Sequence, residues 1–236
     1  LQIECRGDSI VKLDTGKKRI SPIGQKETHE FLSALNDFYR TSRFNDFFNT
    51  HTDIYELGLQ VFNDSVMAHF DQEWCARFYG TPPAEQFRII IGFTNGPCNY
   101  GPSRKLTGQP KEVFAIMNYA VDDNERPIFY KKVVETVVHE FCHSFTKIKG
   151  DTEKALEKSG KALQEYTYFS MRRQAYSTWR NILEESLVRA ATICYLIDHD
   201  YDEKDIRNAI IEQVDRNFFW MPELVQTLRY YESHRK

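Results

Sequence analysis

No apolar run in this 236-residue chain approaches the roughly 18 residues that a membrane-spanning helix needs. The opening stretch "LQIECRGDSIVKLDTGKK" also lacks the apolar core of a signal peptide. Both absences predict a soluble protein without a transmembrane segment. The chain begins with Leu1 rather than Met, which leads to the expectation that an upstream piece, an export signal for example, has been removed. A surplus of one charge is missing too: 31 basic residues face 34 acidic ones, and the formal net charge is −3. No global field draws such a chain onto nucleic acid or an anionic membrane, so no nucleic-acid partner is expected. The five cysteines, Cys5, Cys75, Cys98, Cys142 and Cys194, form no C-x-x-C pair and lack the density of a disulfide scaffold. Cys142 and Cys194 fall on apolar helix faces and read as small buried hydrophobes. Internal repeats, low-complexity tracts and long linkers are absent as well.

What is present is ample core material, 41% hydrophobic and 14% aromatic residues, enough for one compact domain with two lobes. Residues 1–24 mix β-branched residues with Gly and Pro and predict irregular chain or short strands. Helical periodicity takes over from Glu27 to Tyr79, in "HEFLSALNDFYRTSRFNDFF", "DIYELGLQVFNDSVMAHF" and "QEWCARFYG", closed by Gly80 and Pro82-Pro83. "EQFRIIIGFTNG" and "KEVFAIMNYAV" predict two strands, and from Pro127 onward helix follows helix, with breaks near Gly150, Gly160, Asp198 to Asp202 and Met221-Pro222. The expected class is α+β, mostly helical, with a small sheet before the central motif. The expected organisation is a single domain over 1–236, with a helical lobe at 1–85 and a sheet plus motif-bearing helices at 86–236.

That motif lies in "VVETVVHEFCHSF", residues 133–145, where His139, Glu140 and His143 spell H-E-x-x-H. At about 100° per residue, His143 falls about 40° from His139, so the two imidazoles share a helix face. Val133, Val134, Val137, Val138, Phe141, Cys142 and Phe145 fill the opposite arc. Imidazoles at i and i+4 can bind one zinc ion, and a glutamate after the first His sits where it can take a proton from water instead of ligating. The pattern predicts a Zn2+ site with His139 and His143 as ligands and Glu140 as the general base.

A third protein ligand is required. The metzincin extension is excluded, because Thr146 stands where its Gly belongs and Lys149 where its third His belongs. A deformylase arrangement would use a cysteine upstream, and Cys98 is the candidate, but "NGPCNYGP" does not match the deformylase segment. Gluzincins use a Glu from a downstream helix. "TWRNILEESLVRAATICYLI" is such a helix and carries Glu184 and Glu185, 41 and 42 residues beyond His143 (184 − 143 and 185 − 143). Glu184 borders the apolar stripe of that helix, whereas Glu185 lies opposite it with Arg189 at i+4, a spacing that suits an oriented, ionised carboxylate. Periodicity leaves both candidates open.

"HEFCHSF" and "EESLVRA", preceded by "NYGPS" and a strand, resemble a bacterial family carried as a domain of unknown function and read as gluzincin-like metallopeptidases, many with export signals. The resemblance runs from about Phe87 to Ile197. It implies a zincin-like fold, Glu185 as the third zinc ligand, hydrolysis of peptide bonds in peptide or protein substrates, and an exported location. Tyr176 and Tyr100 are candidate oxyanion donors, and "KEVFAIMNYAV" is expected to be an edge strand that pairs with substrate backbone. Other readings of the same residues are a non-catalytic or latent zincin-fold protein that binds peptide or glycan at a surface, and a zinc hydrolase of a non-peptide amide.

Overall fold

The computed structural model describes residues 3–7, 9–12, 24–83, 85–96, 98–106 and 108–234. The fold is α+β and dominated by helices. Packing divides it into two compact units, each built from two stretches of chain: Leu1–Ser65 with Glu85–Phe129, and Val66–Ala84 with Tyr130–Lys236.

The first unit holds a hairpin of β1 (Ile3–Arg6) and β2 (Ser9–Lys12), helices α1 (Gln25–Thr41), α2 (Phe44–Thr50) and α3 (Thr52–Ser65), and a three-stranded sheet. The Asn36 carboxamide ties α1 to the hairpin, accepting from Ile10 N at 2.8 Å and donating to Ile10 O at 2.9 Å. The helical stretch expected over "HEFLSALNDFYRTSRFNDFF" is broken at Arg43, whose φ of 51° cannot continue a right-handed helix. In the sheet, β3 (Gln86–Ile91) runs parallel to β5 (Lys111–Met117), and β4 (Ser103–Lys105) pairs antiparallel on its other side. Beyond β4, Tyr100 exchanges hydrogen bonds with Ile116. The expectation of an edge strand at "KEVFAIMNYAV" is therefore corrected: β5 is central and its backbone is engaged on both sides. Glu112 of β5 is buried, and Arg88 (2.6 Å) and Arg104 hold its carboxylate, lowering its pKa. The strand pattern then stops at Met117, and β6 (Ala120–Val121) pairs with β7 (Pro127–Ile128), so Pro127 opens a short strand where a helix is expected. Phe62 of α3 packs edge-on against Phe129, with ring centres 5.0 Å apart.

The second unit is helical: α4 (Gln72–Tyr79), α5 (Lys132–Cys142), α6 (Gly150–Tyr166), α7 (Tyr168–Arg173), α8 (Trp179–Asp198), α9 (Glu203–Asp215) and α10 (Met221–His234). Asp71 caps α4 by accepting from Glu73 N and Trp74 N, both at 3.1 Å. Helix α8 is the axis of the unit, packed against α5, α6, α9 and α10. It is buried on nearly every side from Ser186 to Leu196, so its burial exceeds the single apolar stripe visible in its sequence. The break expected at Gly160 does not occur. Helix α6 runs through it because the missing side chain lets Trp179 of α8 approach: a Cβ there would lie 2.5 Å from the indole ring.

Candidate metal centre

Helix α5 buries Val134, Val137, Val138, Phe141 and Cys142, and this apolar face fixes its rotation. The opposite face therefore presents His139 and Glu140. His143 follows immediately after the last helical residue with φ −58° and ψ −23°, so the i,i+4 relation to His139 survives the helix end. The two imidazole centres stand 4.9 Å apart. Ligand atoms of His139, Glu140 and His143 lie within 4.8 Å of one another, forming a group able to bind one metal ion.

Helix α8 brings Glu185 to the same place. Its Oε1 lies 3.4 Å from His139 Nε2 and its Oε2 lies 3.7 Å from His143 Nε2. Glu184 faces elsewhere: it accepts from Ile148 N at 2.9 Å and pairs with Lys147 at 3.5 Å. Of the two carboxylates that periodicity leaves open, Glu185 is the one beside the histidines. Arg189, one turn on, pairs with Glu185 Oε1 at 2.8 Å and donates to the Tyr176 hydroxyl at 3.1 Å. Gln213 of α9 accepts from Arg189, and the ring of Phe218 lies under its guanidinium at 5.0 Å. These supports come from residues 24 and more positions away, and no local sequence pattern announces them. Arg189 is visible in sequence only as the i+4 partner of Glu185.

Burial sets the protonation states. It drives His139 down to about 3, against the opposing pull of Glu185, and it lowers His143 for the same reason. Both imidazoles are thus neutral near pH 7, the form that ligates a metal. Burial alone would raise Glu185, but the adjacent histidines and Arg189 outweigh it and keep the carboxylate ionised. At neutral pH the lasting cation among these is Arg189. Glu140 moves the other way, pushed up to about 7 by burial and by the Glu185 charge. Among the described residues Glu140 has no hydrogen-bond or ion-pair partner, which leaves its carboxyl free for proton transfer. Side-chain exposures of 20% at His139 and 28% at His143 keep the group reachable from solvent, while Glu185, at 8%, is covered.

Of the other candidates, Tyr176 stands beside Glu185 and Arg189, so its hydroxyl helps hold the carboxylate. Tyr100 and Cys98 lie in the unit that contains the sheet, both exposed, and Cys98 is not part of the metal-binding group. Among the described residues no helix is long and apolar enough to cross a membrane.

Comparison with known proteins finds a family match over nearly the whole chain. The family model described as Domain of unknown function (DUF4932) covers residues 3–236. No curated protein and no solved structure matches the chain.

Proposed function

We propose, for a chain that belongs to the family described as Domain of unknown function (DUF4932), an activity that this description does not supply: zinc-dependent hydrolysis of peptide bonds on a zincin-like fold. The observation that carries the reading is the pairing of a donor set with an unpartnered carboxyl. His139, His143 and Glu185 offer two neutral imidazoles and one ionised carboxylate, the set that suits a catalytic zinc with a position left open. Glu140 stands in the same group, with its pKa raised to about 7, near the neutral pH at which a general base works best.

When bound, a zinc ion supplies Lewis acidity toward a water molecule and the scissile carbonyl. The chain does the rest. A carboxylate oxygen of Glu140 takes a proton from the attacking water and afterwards delivers it to the leaving amine nitrogen. Arg189 and Tyr176 hold Glu185 in one orientation, and through it they fix where the two imidazoles converge. Substrate would enter from the exposed side of the histidines, and the partner expected is a peptide or protein substrate. An exported location accords with such a substrate, and detection of the native protein outside the cytoplasm tests it.

The direct test is mass-spectrometric cleavage of a diverse peptide library by the zinc-loaded protein beside Glu140→Gln. The expected result is cleavage by the native chain, a loss of at least about a hundredfold in the variant, and equal zinc content in both. Full activity of Glu140→Gln removes the proposed base. Zinc bound at one equivalent with no peptide cut favours a latent binding protein or a non-peptide amide as substrate.

A further inference from the structure

Next to the metal-binding group lies a cavity of about 130 Å³ whose walls come from α6, α7 and the start of α8. Its lining includes Met171 and Ile182, both fully buried, together with the polar side chains of Gln164, Tyr168 and Arg172. Tyr176 is the wall shared with the metal-binding group: it lines the cavity, and its hydroxyl lies 3.1 Å from Arg189, the partner of Glu185. Tyr176 therefore links the cavity to Arg189 and, through it, to Glu185. A cavity of roughly 150 Å³ takes a benzene-sized molecule, so this one has room for a single side chain of Asp or Glu size or for a chain end.

The charge at the cavity comes from Arg172. Its guanidinium donates to the Tyr168 hydroxyl and its Cζ lies 5.6 Å from the centre of the Tyr168 ring, a contact between two exposed side chains one helical turn apart. In the same unit Arg180, Arg189, Arg216 and Arg229 each pair with a carboxylate. Arg172, like Arg173 and Arg207, has no carboxylate oxygen within 4.0 Å among the described residues, and of these three it alone lines the cavity. Gln164 is tied to Ser177 O at 2.8 Å, and both line the cavity. A guanidinium without an anion, lining the same cavity as the apolar Met171 and Ile182, suits a carboxylate carried on a short aliphatic stem.

We infer that this cavity is a substrate subsite for a carboxylate-bearing group, with Arg172 as its recognition residue and Tyr168 as the residue that positions Arg172. The inference rests on the peptidase reading above. The carboxylate has two sources, an Asp or Glu side chain or the C-terminus of the substrate.

The test uses peptides that place Glu, Gln or Lys at each position around the bond cut, each with a free and an amidated C-terminus. The native protein is compared with Arg172→Gln and Arg172→Glu. Expected is a kcat/KM at least tenfold higher for the carboxylate-bearing member of a pair, a ratio that collapses toward one in Arg172→Gln and turns toward Lys in Arg172→Glu. Preference that vanishes on amidation assigns the terminal carboxylate, and preference that survives amidation assigns the side chain. Equal turnover of all members by the native protein overturns the subsite while leaving the peptidase intact. Should no peptide be cut, the peptidase reading fails, and binding to zinc-loaded Glu140→Gln decides the subsite. The probe is an acetylated tripeptide with Glu against its Gln counterpart, followed by calorimetry. At least tenfold weaker binding of the Glu peptide after Arg172→Gln supports it, and equal or absent binding of both peptides overturns it.

Discussion

At the residue scale the site turns on which groups are charged. Glu185 touches the histidine pair and is itself held by Arg189, while Glu184, its neighbour, caps the Ile148 amide. Loss of a residue that only orients a ligand costs about 10- to 100-fold in metal affinity, and loss of a ligand costs more. Zinc affinity, measured by competition with a chromophoric chelator, is therefore expected to fall most in Glu185→Ala, by more than about a hundredfold. Arg189→Met should lose about 10- to 100-fold, and Glu184→Gln little. A larger loss in Glu184→Gln than in Glu185→Ala would reverse the assignment. The imidazoles give a second expectation, because zinc displaces whatever protons its ligands carry. Two ordinary histidines of pKa 6.5 would together release about 1.5 protons at pH 6. With His139 held near 3 and His143 lowered, release at pH 6 should be well under one proton. Glu140→Gln is the form to titrate, in buffers of different ionisation enthalpy, since it removes the proton that zinc would displace from Glu140. The same shifts fix the sign of stability without metal. Below pH 6.5 the unfolded chain takes up protons at these imidazoles more readily than the folded chain does, so the contribution of His139 falls as pH drops from 6.5 toward 3 and that of His143 falls in the same sense. Glu140, raised to about 7, acts in the opposite sense and loses its contribution as pH rises from 4.5 through 7.

At the element scale, α8 decides the architecture of the site, and its approach to α6 decides where α8 sits. Gly160 lets the indole of Trp179 come against the α6 backbone. Gly160→Ala gains about 1 kcal/mol of helix propensity, but it places a methyl 2.5 Å from a ring that is only 9% exposed and has little room to yield. Overpacking of that kind costs about 1–3 kcal/mol, so the expected net effect is a loss of about 1 kcal/mol, visible as a lower midpoint in urea. A midpoint that rises would mean the ring moves aside freely. The same helix pair shows what the sequence reveals and what it withholds. His139, Glu140 and His143 are legible because a single helical turn joins them, and the valines behind them dictate the rotation of α5. Periodicity narrows the third ligand only to Glu184 or Glu185, since α8 is buried on nearly every side from Ser186 to Leu196 and names no single inner face, and it is the family resemblance that points to Glu185. Gln213, Phe218 and the shared wall at Tyr176 follow from tertiary packing alone. The central position of β5 was equally hidden, because β4 and Tyr100, which cover its second side, carry no strong strand pattern.

At the scale of the whole molecule, all the proposed metal residues come from one of the two units, and both helices that carry them, α5 and α8, pack against each other within it. The first unit owes its stability to other features, among them the Glu112 carboxylate between Arg88 and Arg104 and the Phe62–Phe129 contact. A ligand that binds only the folded state stabilises by an amount that grows with its concentration, about 2.7 kcal/mol at a hundred times Kd. That free energy enters where the ligand cross-links structure, which for the proposed set of His139, His143 and Glu185 would be between the C-terminal end of α5 and the first half of α8. Chelation should therefore speed hydrogen exchange at amides of α5 and α8, by about a hundredfold where exchange follows opening of this unit. Amides of β3 and β5 should keep their rates. Mass-spectrometric exchange with and without a chelator reads both sets in one experiment. Equal acceleration in the sheet would mean that the two units open together and that the metal supports the entire chain. Unchanged exchange in α5 and α8 would mean that no structural cross-link forms at His139, His143 and Glu185.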